Sequence, residues 1–128
     1  MNPHDRQSRL VRLNPELHKV AKIISINRGL MLGAFLQNCR GVWLSGDRPF
    51  YESVTGDKQV SFPTHERIDK EFRIAAANFS GGLAVNEAYA SATMHGVRAF
   101  AHEMDYTGLS PEIETSVESL AGNALYRL

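Results

Sequence analysis

Apolar side chains recur along this chain in two rhythms, one helical and one extended. Leu17, Val20, Ala21 and Ile24 return at three- and four-residue spacing, which marks one buried helix face. Asn14-Pro15-Glu16 precedes them with an N-cap side chain, a proline at the first helical position and an acid near the positive helix end. Gly29, after Asn27-Arg28, supplies the stop. Leu32, Phe35, Leu36, Cys39, Val42 and Trp43 form a second stripe over residues 31–44, with Gln37, Asn38 and Arg40 largely off it. Ser8–Leu13 reads as a short strand behind a polar arm.

The middle of the chain alternates. Phe50, Glu52 and Val54 interleave with Tyr51 and Ser53, Thr55–Lys58 has turn chemistry, and Val60 and Phe62 continue the alternation. That pattern fits a small hairpin over residues 50–62, and it also fits an irregular loop. Helical spacing returns after Pro63-Thr64, with Thr64 as the predicted N-cap and Ile68, Phe72, Ala75 and Phe79 on one face. Glu66 with Lys70, and Asp69 with Arg73, stand acid-before-base four residues apart. Ser80-Gly81-Gly82 ends this helix. A fourth helix is predicted over 84–104, its stripe formed by Val85, Tyr89, Ala92, Gly96 and Phe100, with small residues that let a neighbour approach. Ser110-Pro111-Glu112 opens a fifth, with Ile113, Val117, Leu120 and Ala124 facing inward. The expected fold is mainly α, about five helices with a short N-terminal strand and room for one hairpin.

Length and composition agree with a single domain. At 128 residues the chain can bury a core without staples, and Cys39 is its only cysteine. The polar first residues carry no h-region, and the longest apolar run, Gly29–Cys39, is far short of a membrane span. A cytoplasmic protein that does not enter membranes is expected.

Charge changes the picture more. Net charge is zero, yet residues 1–48 carry eight Lys/Arg against three Asp/Glu, and residues 49–128 carry six against eleven. The chain thus divides into a basic strand-helix-helix segment, 1–48, and an acidic helical segment, 49–128, expected to pack as one domain. The basic part suits a polyanion or an acidic protein surface. Equally, the two segments can attract each other, within one chain or between subunits.

Candidate chemistry is sparse. His95 and His102 share a face of the fourth helix, near Glu87 and Arg98, but without the extra ligands of a zinc or di-iron centre. A solvated face is the expectation, with no metal and no cofactor. Cys39 lies on an apolar stripe and reads as a buried thiol. Ser80-Gly81-Gly82 lacks the Lys-Ser/Thr of a phosphate loop. Trp43 reads as core. No enzyme is indicated.

Residues 8–44 resemble the ribbon-helix-helix family of dimeric DNA-binding proteins. The resemblance is carried by Ser8-Arg-Leu-Val-Arg-Leu-Asn-Pro-Glu-Leu17, the helix to Asn27, the turn at Gly29 and the helix to Leu44. It implies a strand that pairs with its twin from another subunit and enters the major groove. Val11 and Leu13 would face the core, and Ser8, Leu10 and Arg12 the DNA. The start of the second helix would meet phosphate. Three features depart from the pattern: Arg9 where an inward apolar residue is expected, Leu10 as a base reader, and no Ser or Thr in Gly29–Gly33. The implied function is a non-enzymatic, homo-oligomeric DNA-binding regulator or accessory factor. Its DNA-binding candidates are Arg6, Ser8, Arg9, Leu10, Arg12, Lys19, Lys22 and Arg28, with Arg12 the base-contact candidate. The alternative is a protein-binding or structural assembly component, or a small inhibitor from a virus or mobile element.

Overall fold

The computed structural model describes residues 7–46, 48–51, 54–79, 82–101 and 126–127. In chain order these form β1 (Gln7–Leu13), α1 (Pro15–Asn27), α2 (Leu32–Ser45), β2 (Phe50–Tyr51), β3 (Lys58–Thr64), α3 (Glu66–Ala77), α4 (Val85–Ala101) and β4 (Tyr126–Arg127). The fold is mainly helical. It has four helices among the described residues where about five were expected, and the fifth, predicted from Ser110 to Ala124, lies outside them.

α1 starts where its local chemistry dictates. Asn14 Oδ1 accepts from the Glu16 and Leu17 N–H groups at 2.8 and 3.4 Å. Pro15 costs nothing at a position whose N–H has no helical partner. At the other end Gly29 takes φ +72°. Its N–H reaches the Ile26 carbonyl, and the Leu30 N–H reaches the Ser25 carbonyl. This paired closure needs a residue that tolerates the left-handed region. Leu17, Val20, Ile24, Phe35, Leu36 and Trp43, which define the first two stripes, are all fully buried.

The extended segments pair differently from the expected hairpin. β1 pairs antiparallel with β3 from Gln7 opposite Thr64 to Leu13 opposite Lys58, and β2 pairs with β4. The alternation over 50–62 therefore belongs to two strands with separate partners. Pro63 and Thr64 end β3 and do not open α3, whose N-cap is His65, with no side-chain cap bond. Pro63 is tolerated because its missing N–H lies on the strand edge away from β1.

α4 is the centre of the molecule. Every residue from Ala88 to Met94 is buried, so this helix is covered all round where one apolar stripe was expected. It packs on α2, α1, α3, β1 and β2. Small side chains allow the closest crossing: a Cβ on Gly96 would lie 2.8 Å from Cys39 Cα and deep inside Cys39 Sγ. Tyr89 lies between Phe62, at 4.8 Å centroid separation, and Phe72, stacked at 4.2 Å. The α4 start is closed by Glu87, whose carboxylate accepts from the Ala84 N–H at 3.1 Å.

Candidate nucleic-acid interface

The basic side chains divide into two groups with opposite environments. The first surrounds Asp69, a buried carboxylate on α3. Arg9 reaches it from β1 with two parallel bonds, 2.5 and 2.7 Å. Arg73, one helical turn along α3, donates at 3.1 Å, and the Tyr89 hydroxyl donates at 2.8 Å. The carboxylate is saturated with donors, so its pKa is held below the usual carboxylate range, chiefly by the Arg9 bond. The Arg9 guanidinium is raised by the same bond. Burial, with Asp69 second, pushes the Tyr89 phenol up to about 12.

Arg40 belongs beside this group and not on the outer face of α2. It is only 5% exposed. Its guanidinium donates to the Pro63 carbonyl at 2.8 Å and lies over the Phe62 ring. Its long stem lets it leave the polar side of the helix and turn its charge into a carbonyl and an aromatic face. Burial lowers its pKa, and a guanidinium remains charged there.

The second group is exposed. Alternation along β1 sends Val11 and Leu13 into the core and leaves Ser8, Leu10 and Arg12 outside. Lys19 and Lys22 are exposed on α1, and Lys58 is exposed at the start of β3. The fold brings Lys58 to α1: His18 is half-buried, and its pKa is lowered by burial first and then by Lys58 and Lys22. Among the described residues, Arg12, Lys19, Lys22 and Lys58 make no ion pair.

No family model, curated protein or solved structure matches the chain.

Of the predicted DNA-binding residues, then, Ser8, Leu10, Arg12, Lys19 and Lys22 lie at the surface. Arg9 is committed to Asp69. Arg28 is exposed at the end of α1, with its guanidinium 4.3 Å from the Phe100 ring centre. Arg6 lies outside the described residues. Sequence reasoning missed Lys58 because it joins α1 only through the β1–β3 register. Alternation marks Gln59 and Ser61 as a wet face against Val60 and Phe62, but it puts Lys58 in phase with the inward pair, so no local signal singled out Lys58.

His95 is not on a solvated face. It is half-buried against β2, with Nδ1 3.4 Å from the Tyr51 hydroxyl, which also accepts from Arg98 at 3.4 Å. His102 lies outside the described residues. Among the described residues no three His, Cys, Asp or Glu side chains gather as metal ligands, and no helix is long and apolar enough to cross a membrane. Burial raises the Cys39 thiol far above its ordinary pKa, so little nucleophilic thiolate forms. A groove of about 510 Å³ between α2 and α3 is bordered by Leu44, Arg48, Glu71, Ile74 and Asn78. Among the described residues that line it are an exposed acid and an exposed base, but no cysteine, serine–histidine pair or carboxylate pair.

Proposed function

We propose that this protein is a non-enzymatic DNA-binding regulator or accessory factor that grips duplex DNA with its basic end. One observation carries the reading: Arg12, Lys19, Lys22 and Lys58, from three separate elements, are exposed and make no ion pair among the described residues, and Lys22 and Lys58 share one surface at His18. Phosphates would take the lysines, and Arg12 would meet base edges with its planar fork.

The test is binding to a random duplex pool across a salt series. Binding should weaken steeply with salt, and Lys22→Ala or Lys58→Ala should each reduce the salt slope by about one. Arg12→Ala should cost roughly 1–3 kcal/mol on an enriched site and relax its sequence preference. No binding at low salt overturns the reading.

A second reading is favoured by Met31, 83% exposed, and Ile26, 67% exposed, at the α1–α2 turn. These large apolar side chains suit a protein surface, including a second copy of this chain. The strand expected to pair with its twin from another subunit has β3 along one edge, and Asn86 holds Arg12 on the other. Sedimentation of the parent and of a Met31→Ser, Ile26→Ser variant tests the second reading. A monomer in both removes self-association.

A further inference from the structure

Lys58, on β3, is the one proposed DNA contact that lies beyond the basic N-terminal segment. The β1–β3 register adds its neighbour Gln59. Directly opposed residues of an antiparallel pair share a face. Arg12 is opposite Gln59, and Leu10 is opposite Ser61. All four side chains are exposed, while the alternate pairs, Val11 with Val60 and Arg9 with Phe62, turn inward. The outer face of this ribbon thus presents a guanidinium and a carboxamide side by side.

The Arg12 backbone is held in place. Its N–H donates to Asn86 Oδ1 at 2.7 Å, and Asn86 Nδ2 donates to its carbonyl at 3.2 Å. Asn86 sits on the first turn of α4, just ahead of its buried stretch Ala88–Met94, so the strand is tied to the central helix of the fold. Both backbone groups of Arg12 point away from β3, which makes Arg12–Gln59 a non-hydrogen-bonded pair. Such pairs hold their Cα atoms about 4.5 Å apart, little more than one base step. A two-stranded ribbon fits the B-DNA major groove, where arginine pairs with guanine O6 and N7 and glutamine with adenine N6 and N7.

We propose that Gln59 is a base-reading residue that acts beside Arg12, so that the ribbon selects duplexes carrying guanine and adenine at neighbouring base pairs. This rests on the DNA-binding reading above. It differs from a ribbon built by two subunits, because both strands belong to one chain.

The experiment is selection from a random duplex pool by the parent, Gln59→Ala, Gln59→Glu and Arg12→Ala, with thermal midpoints confirming that each variant folds. The parent should enrich a guanine–adenine neighbour pair. Gln59→Ala should keep the guanine, lose the adenine and bind the parent's site about 5- to 150-fold more weakly. Its affinity for random duplex and its salt slope should stay at the parent's values. Gln59→Glu, now an acceptor only, should move the preference at that position toward cytosine. Salt-dependent binding by the parent with no enriched sequence, or the same enriched site for parent and Gln59→Ala, overturns the proposal and leaves DNA binding standing. No binding at low salt overturns both.

Discussion

Arg9 and Arg12 lie three residues apart on one strand and have opposite fates. Arg9 points inward and is clamped to Asp69, while Arg12 points outward and makes no ion pair among the described residues. The same division runs through the molecule. Arg9, Arg40 and Arg73 are tied to Asp69 or to a backbone carbonyl, whereas Lys19, Lys22 and Lys58 are exposed and make no ion pair there. A charge taken from water needs a partner, and a solvated one does not. The engaged set is therefore expected to govern stability, and the exposed set to govern binding.

The largest expected effect breaks the engaged set at its centre. Asp69→Ala removes the acceptor shared by Arg9, Arg73 and Tyr89. Breaking a buried ion pair costs about 3–5 kcal/mol, reduced here to roughly 2–4 because Arg9 and Arg73 retain access to water. Urea unfolding measures it. A midpoint equal to the parent's would mean that Asp69 organises nothing.

The pH dependence of the same cluster follows from its shifts. Asp69 is held below its ordinary pKa, so its contribution is present above about pH 4 and is lost as pH falls further. Tyr89 is raised to about 12, so its neutral form stabilises the fold fully below pH 10 and that contribution fades between 10 and 12. The alkaline loss is about 3 kcal/mol at most. In Tyr89→Phe the part of the stability curve between pH 10 and 12 should flatten relative to the parent. An unchanged alkaline slope would detach Tyr89 from the cluster.

These effects also mark how far the sequence could be read. The α1 and α2 stripes are local, and Asn14, Pro15 and Gly29 signal their ends within a few residues. The burial of Leu17, Val20, Phe35 and Trp43 follows from spacing alone. Arg9 stood out in the sequence as a charge where an apolar residue belongs. Its partner lies sixty residues away on α3, and nothing local names it. Asp69 did show its near partner, Arg73, at helical spacing. Glu66 and Lys70 have the same spacing but form no ion pair, because exposed pairs gain too little to fix long side chains. The paired strands were harder still, since two helices and β2 lie between β1 and β3 in the chain. Arg40 looked solvated because helical position sets where a side chain begins and not where its charged end rests.

A smaller effect separates the two arginines of β1. Arg9→Ala leaves Asp69 with Arg73 and Tyr89, so it should cost about 1–2 kcal/mol, whereas Arg12→Ala should stay within about 0.5 kcal/mol of the parent. Duplex binding should show the reverse order, with Arg12→Ala the more damaging. Equal losses of stability would erase the distinction between the two faces of the strand.

The smallest expected effect lies at His18. Its pKa is lowered by burial, then by Lys58 and Lys22, so the folded state binds a proton here less readily than the unfolded chain does. The sign follows: stability is unaffected well above pH 6.5 and falls slightly as pH drops through that range, because the unfolded state takes up the proton first. Lys58→Ala removes one of the two cations and should let the His18 pKa rise, while changing stability by no more than about 0.5 kcal/mol. A titration of the imidazole followed by NMR, in low and high salt, reads the change directly. Salt should raise the parent's His18 pKa, since it screens both lysines, and should raise it less in Lys58→Ala. The burial contribution stays in both proteins, so His18 should remain below its ordinary value even in the variant. If salt and Lys58→Ala both leave the His18 titration where it was, the lysines do not converge on α1. The exposed set would then be scattered charges, without the shared surface that duplex binding requires.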